Sequence, residues 1–293
     1  MPTFSIQMTL FYFSLYFTQV ALGTTLGEIQ IFDLDNGELV SSFQAHSEWI
    51  NRLEQLSDHV LASASDDDTV KLWNITSCRH ASVSRNNCTL LHTLTNHTND
   101  VWSLTRVDAD LLASGASDGL ILVWQISTGR LVRQIDTGIG NGETVRCLQM
   151  LPNGLLASGD SRYNIKTWDV TGTGTQVSTF LDAHSGRVND LLLLDEKRLA
   201  SASSDDSIVV WNLTTQSRIF TLVGHEDTVR ALTLIAPQVM ASASNDKSVK
   251  LWNLTSGSLL FTLSNHSKEI GYALDTLRPE VLVSGSRDTR INV

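Results

Sequence analysis

The 293-residue sequence has few of the residues that divide a chain into domains or bind nucleic acid. It contains 4 prolines, 7% aromatic residues and 18% charged residues, with 21 Lys and Arg against 31 Asp and Glu. Without a Pro-rich linker or a shift in composition, one closed domain is the simplest organisation. A formal net charge of -10 argues against the strongly basic face that a phosphate backbone requires, so no nucleic-acid partner is expected.

Cysteine is also scarce. Cys78, Cys88 and Cys147 give an odd count, no Cys-x-x-Cys pair and no His at metal-ligand spacing. The sequence therefore predicts neither a disulfide framework nor a metal site, and no cofactor. A reduced protein of the cytoplasm or nucleus fits best. Secretion is the alternative, to which six Asn-x-Ser/Thr acceptors point, although all of them except Asn87 recur at equivalent places of a repeat.

The stretch 8–22 is uncharged and rich in aromatic residues. It allows three interpretations: a signal peptide or membrane anchor, a buried strand, or a segment foreign to the domain. No Lys or Arg precedes it, and it is short for a membrane span of about 20 residues. The buried strand is favoured, and no membrane contact is expected unless residues 8–22 act as an anchor.

One pattern recurs along the chain. A His is followed 27 residues later by a Trp in four places, and the same spacing separates Asn141 from Trp168. Successive Trp residues are 51, 44, 43 and 41 positions apart, the period of a unit with four short strands. Segments such as 69–73 and 248–252 are rich in β-formers and too short for helices, so the domain is predicted to be all-β.

Two further units lie at the ends. Residues 21–33 match the second half of a unit with Phe32 in the Trp position, and residues 266–293 match the first half of another. Seven units result, and the last lacks its outer strand, so either residues 1–8 supply that strand or the chain is a fragment of a longer one. The predicted single domain 1–293 has a closing segment 1–8, an insertion loop 76–89 that is interpreted as a flexible surface insertion, and blades of approximately 9–45, 46–96, 97–140, 141–183, 184–224, 225–265 and 266–293.

The motifs inside these units resemble those of the WD-repeat (tryptophan-aspartate repeat) β-propeller family over nearly the whole chain. The residues that carry the resemblance are the Leu-Ala-Ser or Met-Ala-Ser clusters that begin at Leu61, Leu112, Leu156, Leu199 and Met240, together with Gly224-His225 and Trp168-Asp169. The resemblance implies a seven-bladed propeller with four-stranded antiparallel blades, the last one incomplete at the C-terminus. Strict Trp-Asp occurs once, and fold alone says little about the partner.

His, Ser and Asp recur in a set that could suggest a hydrolytic triad. The resemblance implies instead that each set is a structural hydrogen-bond network. An enzyme needs its catalytic site only once, whereas every blade needs its own stabilising hydrogen bonds. The unit around Trp168 has Asn141 and Arg162 in place of His and Asp, and it is predicted to be the least stable of the Trp-bearing blades. The four complete sets are His46, Ser63, Asp67 and Trp73; His97, Ser114, Asp118 and Trp124; His184, Ser201, Asp205 and Trp211; and His225, Ser242, Asp246 and Trp252.

Partner binding is expected on the rim of the central channel, where loops can vary while the blades stay fixed. Arg suits carboxylates and phosphates, and Trp and Arg are frequent in binding hot spots. The hypothesis is that this face binds an acidic or phosphorylated peptide. The alternative is that the Arg side chains only satisfy neighbouring polar groups. By resemblance, the rim positions include Trp49, Asn51, Asp66, Asp100, Trp102, Arg146, Arg187, Asn189, Arg230 and Arg287.

The sequence thus predicts a non-catalytic protein-interaction scaffold that binds other proteins or peptide segments, either as a monomer or as part of a larger complex. No P-loop, His-Glu-x-x-His motif or nucleophile elbow is present, and residues 66–68 form an acidic turn without the further spacing of a calcium loop. The alternative is an extracellular propeller with hydrolase or lectin-like activity. That alternative predicts a lone carboxylate or His cluster at the channel mouth, or glycans on Asn87 and Asn212.

Overall fold

The computed structural model describes residues 3–5, 10–16, 19–76, 78, 88–138, 140, 143–278, 281–288 and 290–292. Within these residues every regular element is a β-strand, and the strands form seven four-stranded antiparallel sheets. Each sheet is one blade. The predicted all-β, seven-bladed propeller is confirmed.

The first four blades each pair four consecutive strands in chain order. Blade 1 comprises β2 (Leu10–Tyr16), β3 (Gln19–Thr24), β4 (Glu28–Asp33) and β5 (Leu39–Gln44); blade 2 comprises β6 (Ile50–Gln55), β7 (Val60–Ser65), β8 (Val70–Asn74) and β9 (Thr89–Leu94); blade 3 comprises β10 (Val101–Arg106), β11 (Leu111–Ala116), β12 (Leu120–Gln125) and β13 (Leu131–Asp136); blade 4 comprises β14 (Val145–Met150), β15 (Leu156–Asp160), β16 (Ile165–Trp168) and β17 (Gln176–Phe180).

Blades 5 and 6 follow the same order, and blade 7 combines strands from both ends of the chain. Blade 5 comprises β18 (Val188–Asp195), β19 (Arg198–Ser203), β20 (Ser207–Asn212) and β21 (Ser217–Val223); blade 6 comprises β22 (Val229–Ala236), β23 (Val239–Ser244), β24 (Val249–Asn253) and β25 (Ser258–Leu263); blade 7 comprises β26 (Ile270–Arg278), β27 (Val281–Ser286), β28 (Arg290–Asn292) and β1 (Thr3–Ser5).

Blade 7 closes the ring. Its three inner strands come from the C-terminal part of the chain, as the sequence predicted, and β1 pairs with β28 from Thr3 opposite Asn292 to Ser5 opposite Arg290. The described parts of the apolar stretch 8–22 lie in β2 and β3 of blade 1. Across the residues that the structure describes, we find no helix with the length and apolar character needed to span a membrane.

The core lies between neighbouring blades. Trp124 of blade 3 shares a buried cluster with Leu72 and Leu94 of blade 2, and Trp168, Trp211 and Trp252 lie in corresponding clusters at the next three contacts. Small residues in the second strand of each blade allow this close packing. A Cβ on Gly115 would lie 2.6 Å from Val145 Cγ1 of the next blade, so the approach at that position requires glycine.

One expectation from the cysteines is wrong. Cys78 and Cys88 form a disulfide, with their Cα atoms 5.1 Å apart, whereas Cys147 is free and buried. The sequence reasoning failed because the two residues belong to the insertion loop and not to the repeat, so no equivalent position indicates their separation. The predicted loop 76–89 lies largely outside the described residues, which include Thr76, Cys78 and the residues from Cys88 onward.

Candidate functional site

The repeated His, Ser, Asp and Trp side chains form a directed chain of hydrogen bonds. In blade 6, His225 Nδ1 lies 2.7 Å from Asp246 and His225 Nε2 lies 2.7 Å from Ser242 Oγ. Trp252 Nε1 donates to the same Ser242 oxygen at 2.8 Å. A carboxylate can only accept, so Nδ1–H donates to Asp246, while Nε2 and the Ser242 hydroxyl share the second hydrogen bond of the ring. The imidazole therefore links a buried indole, through Ser242, to an ionised Asp.

The same bonds occur in blades 2, 3 and 5. Desolvation by burial would by itself raise the pKa of each network Asp. The pKa nevertheless lies below its usual value, because the His and neighbouring N–H or O–H groups donate hydrogen bonds to the carboxylate. The network Ser side chains are wholly buried, and each hydroxyl is hydrogen-bonded to both the His and the Trp of its set. The His-to-Asp and His-to-Ser distances lie between 2.7 and 3.0 Å for His46, Asp67 and Ser63; His97, Asp118 and Ser114; and His184, Asp205 and Ser201.

Blade 7 contains a further network that the sequence sets did not include. His266 lies 3.0 Å from Asp288 through Nδ1 and 3.0 Å from Ser284 Oγ through Nε2. The separation from His to Asp is 22 residues here and 21 in the other four networks. A search for the fixed spacing misses this set, although allowing one additional residue would have found it.

Blade 4 differs, as its sequence indicated. Trp168 Nε1 donates to Ser158 Oγ at 2.8 Å, and Asn141, which replaces the His, lies outside the described residues. Arg162, in the Asp position, forms an exposed ion pair with Glu143 at 3.5 Å. Asp160, two residues earlier, accepts the backbone N–H of Arg162. The turn of this blade is therefore held by a different carboxylate.

Eight of the ten predicted rim positions line one pocket at the mouth of the central channel, and its volume is about 400 Å³. Asp66 and Asn189 are not among the lining residues. The pocket draws on blades 2 to 7, which explains how residues far apart in sequence come together. It is lined by Trp49, Asn51, Asp100, Trp102, Ser117, Glu143, Thr144, Arg146, Ser161, Arg187, Arg230, Asn245, Glu269, Gly271 and Arg287.

Arg146 and Trp102 contact each other within this pocket. The guanidinium carbon lies 4.3 Å from the centroid of the Trp102 ring, within cation–π distance. The Trp102 indole nitrogen donates to Ser117 Oγ at 3.0 Å, which fixes the ring. Trp49 on the neighbouring blade is 42% exposed. The pocket thus contains an arginine that is stacked on Trp102 and a second, partly exposed tryptophan, Trp49.

The remaining arginines of the pocket belong to blades 5, 6 and 7. Arg187 is exposed, Arg230 Nε donates to Asn245 Oδ1 at 3.1 Å, and Arg287 pairs with Glu269 at 3.0 Å. Glu143 was not among the predicted rim residues, and nothing in the repeat register singled it out. A hydrogen bond from Ser161, followed by the nearby Arg162 and Arg187 charges, lowers the pKa of Glu143. The mouth therefore combines four arginines with the carboxylates of Asp100, Glu143 and Glu269.

Two of the predicted rim positions, Asn51 and Asn189, carry buried side chains. Asn51 and Asn189 are each 3% exposed, and both donate to a backbone carbonyl of the next blade, Val101 at 3.1 Å and Val229 at 2.8 Å. These amides join blades and hold the channel mouth in shape. Asp66 accepts a hydrogen bond from Asn51, and burial together with the Asp100, Glu48 and Asp68 charges raises its pKa to about 6.

Ligands for a metal ion are not gathered anywhere in the described parts of the chain. We find no group of three or more His, Cys, Asp or Glu side chains there that could hold one. The His–Asp pairs involve a single carboxylate each, and both imidazole nitrogens are already hydrogen-bonded.

Comparison with known proteins agrees with the repeat. A family profile described as "WD domain, G-beta repeat" matches residues 37–74, 88–125, 174–212 and 216–253. Similar curated proteins include the U3 small nucleolar RNA-associated protein 15 homolog of Xenopus tropicalis (28% identical; 66% of this chain, 35% of the relative), Protein FIZZY-RELATED 2 (30%; 71%, 41%) and Periodic tryptophan protein 2 (26%; 71%, 22%), both of Arabidopsis thaliana. The chain spans less than half the length of these relatives. It belongs to the WD40 repeat family of β-propellers.

Proposed function

We propose that this propeller is a non-catalytic scaffold that binds an acidic or phosphorylated segment of a partner protein in the rim pocket. The observation that carries the proposal is the convergence of four arginines and two tryptophans on one pocket of about 400 Å³ in a protein of net charge -10. An Arg guanidinium matches the planar carboxylate or the phosphate oxygens in charge and geometry. Trp side chains add apolar contact area.

The four arginines of the rim pocket differ in the contacts that fix their side chains. Arg146 is 9% exposed and stacked on Trp102, so its position is set before a ligand arrives. Arg187 is exposed at the same mouth, and Glu269 already neutralises part of the charge of Arg287. We therefore expect Arg187 and Arg230 to recognise the anionic group. The carboxylates of Glu143 and Glu269 would disfavour segments that carry negative charge along their whole length.

A hydrolytic role for the His–Ser–Asp sets conflicts with their geometry. Ser242 Oγ receives the Trp252 indole hydrogen, contacts His225 and is 0% exposed, so a substrate cannot reach it. A nucleophile must be accessible and must be able to release its proton toward a base. The sets are therefore interpreted as parts of the scaffold.

The experiment is binding of fluorescein-labelled peptides measured by anisotropy. The probes are one acidic decapeptide with a central phosphoserine, the same peptide with serine, and the same peptide with glutamate. The variant is Arg187→Ala with Arg230→Ala. The control is Arg130→Ala with Lys197→Ala, which removes the same charge from exposed positions outside the pocket.

We expect the rim variant to bind the phosphoserine peptide at least tenfold more weakly, while the control variant binds like the unchanged protein. An equal loss of affinity in both variants would show that net charge alone drives binding, and would refute a specific binding site in the rim pocket. The same two variants, used to capture partners from lysate with and without phosphatase treatment, then test natural ligands. Capture that is unchanged in every sample would move the partner site away from the rim.

We propose a cytoplasmic or nuclear location and a place in a larger protein assembly. One relative is named for its association with U3 small nucleolar RNA, and the chain matches only 35% of that protein. The Cys78–Cys88 disulfide favours the other location, because disulfides persist mainly in oxidising compartments. To decide between the two locations, protein is taken from cells under acid quench, its free thiols are alkylated, and the redox state of Cys78 and Cys88 is measured by mass spectrometry. A fully reduced pair supports the cytoplasm or nucleus, and a fully oxidised pair overturns that location.

A further inference from the structure

The turn between the second and third strands of blade 4 holds an aromatic residue in a backbone conformation that favours glycine. Tyr163 has a φ of 72°. The left-handed region is unfavourable for residues with a side chain, and a bulky residue there is an outlier. Such outliers cluster at binding and active sites. Tyr163 is therefore a candidate for a role beyond holding the turn.

The equivalent positions in other blades show that the turn itself requires this conformation but not this residue. Each lies five positions before the Trp or, in blade 1, before Phe32, and each has a φ between 65° and 77°. Glycine adopts such angles freely, and Asp tolerates them. None of these residues is aromatic, so the shape of the turn does not account for the tyrosine. They are Gly27, Asp68, Gly119, Asp206 and Lys247.

Hydrogen bonds fix the backbone on both sides of Tyr163. The buried Asp160 carboxylate accepts the backbone N–H groups of Arg162 and Asn164, each at 2.9 Å, and the Asn164 side-chain amide at 3.1 Å. The Tyr163 N–H donates to the Asp160 carbonyl at 3.3 Å. The turn is therefore ordered before a ligand arrives. A side chain on an ordered turn loses little conformational entropy on binding.

The Tyr163 side chain is open to solvent and lies next to the rim pocket. It is 46% exposed. Ser161, two residues earlier in the same turn, lines the pocket. Its hydroxyl accepts the Thr144 N–H at 2.9 Å and donates to Glu143 at 2.7 Å, and both of these residues also line the pocket. The turn that carries Tyr163 is thus bonded to the blade 4 wall of the pocket.

The charges beside Tyr163 indicate which kind of side chain suits its ring. Arg162 precedes it and pairs with Glu143 at 3.5 Å. A hydrogen bond from Ser161, followed by the Arg162 and Arg187 charges, lowers the pKa of Glu143, so this carboxylate lies within electrostatic reach of the pocket arginines. A cationic side chain over the ring would lie close to Arg162, whereas an apolar one meets no such repulsion. The ring therefore favours an apolar neighbour.

We propose that Tyr163 is the docking residue for an apolar side chain of the partner segment, at a position that flanks the acidic or phosphorylated residue bound by Arg187 and Arg230. This inference rests on the proposed function of the rim pocket and adds a second point of recognition to it. The segment passes over the blade 4 turn and packs its apolar side chain on the phenol ring. Tyr163 then lowers the stability of the fold and raises affinity, a common relation at binding residues.

The test uses fluorescein-labelled peptides measured by anisotropy. The parent peptide has one central phosphoserine among glycine and serine residues. A first set carries a single leucine at each flanking position in turn, and a second set carries a single lysine instead. Each protein is scored by the ratio of its affinities for a substituted peptide and the parent, so an altered net charge of the protein cancels.

Three variants separate the ring of Tyr163 from its backbone conformation. Tyr163→Gly removes the ring and relieves the unfavourable φ, whereas Tyr163→Phe keeps the ring. The matched control is Lys247→Gly, which makes the same backbone change at the equivalent position of blade 6, where φ is 71°.

We expect leucine at one or two flanking positions to strengthen binding about tenfold over the parent peptide. This gain should disappear in Tyr163→Gly and persist in Tyr163→Phe and in Lys247→Gly. Both glycine variants should have a higher urea midpoint than the unchanged protein, because glycine adopts a positive φ without strain. A more stable protein that no longer recognises leucine is an outcome that a purely structural role of Tyr163 does not produce.

Three results would overturn the inference: no gain from leucine at any position, a gain that persists in Tyr163→Gly, or an equal gain from lysine. The Arg187→Ala, Arg230→Ala variant distinguishes this failure from failure of the proposed function. If that variant binds the parent peptide as well as the unchanged protein does, the rim pocket is refuted and the inference with it. If it loses the parent peptide while leucine gives no gain in the unchanged protein, only the role of Tyr163 is refuted.

Discussion

Replacing Ser242 with Ala should remove more stability than the same change at Ser158. Ser242 Oγ is 0% exposed and joins two groups, the Trp252 indole N–H at 2.8 Å and His225 Nε2 at 2.7 Å. Ala leaves both buried groups without that partner. Ser158 Oγ contacts the Trp168 indole at 2.8 Å, and no His occupies the corresponding position of its blade.

A buried polar group without its partner costs about 1–3 kcal/mol. Ser242→Ala is therefore expected to lower the free energy of unfolding by roughly 2–6 kcal/mol, since two groups lose their partner. Ser158→Ala is expected to lower it by about 1–3 kcal/mol. The two side chains lose the same atom from equivalent strands, so differences in volume and strand propensity cancel to first order.

Urea unfolding followed by tryptophan fluorescence measures both changes, provided that the slopes of the transitions agree. Ser201→Ala in blade 5, where Trp211 and His184 lie 2.9 and 2.7 Å from the oxygen, should match Ser242→Ala. If Ser158→Ala costs as much as either of these, the reasoning that the imidazole depends on the Ser hydroxyl is wrong.

Four further predictions concern pH, the disulfide and local stability. The network Asp groups have lowered pKa values, so their stabilisation is complete above about pH 4 and is lost as the pH falls through the folded values. Desolvation likewise lowers the pKa of His46 despite its bond to Asp67, so its contribution also falls below about pH 6.5, and the urea midpoint should fall most steeply between pH 4 and pH 3, where both effects act together. The pKa of Asp66 is raised to about 6, so folding loses stability from this group as the pH rises toward that value; Asp66→Asn should gain in urea midpoint over the unchanged protein at pH 8 but not at pH 4. Reduction of the Cys78–Cys88 bond, or Cys→Ser at both positions, should lower the free energy of unfolding by about 2–3 kcal/mol, and no change in the urea midpoint would contradict this. Amide exchange should be fastest in blade 4 among the Trp-bearing blades, and slower exchange around Trp168 than around Trp211 would refute that expectation.

The sequence predicted the fold because the repeated spacing reflects a physical requirement. A buried Trp in one strand needs a Ser in the neighbouring strand, and that Ser orients a His on the loop before the blade, so all three positions are fixed relative to one another. His266 was missed as a network member because it lies 18 residues before its Ser, whereas the other network His residues lie 17 before theirs. The alignment of the repeats also predicted which residues lie on the channel rim. It could not give the side-chain directions of Asn51 and Asn189, which depend on carbonyls of the next blade.

The contribution of Glu143 to the rim pocket could not be inferred from the repeat either. It belongs to the irregular loop that replaces the His of blade 4, where no repeat defines a position. The disulfide depends on the path of an insertion, and the residues between the two cysteines have no counterpart elsewhere in the chain. Sequence periodicity therefore predicts what all blades share, whereas the features that distinguish one blade from another require the three-dimensional neighbours.

The pairing of β1 with β28 closes the ring through two strands that are far apart in the sequence. It joins Thr3 to Asn292 through three paired positions, whereas the outer strands of blades 1 to 6 are each joined through four to six. Nearly the whole chain must be ordered before these strands can meet, and the entropy lost in closing so long a loop opposes their pairing. Under mechanical load or mild denaturant the ring should open at this point first, and the loss of β1 exposes the edge of β28 to other chains.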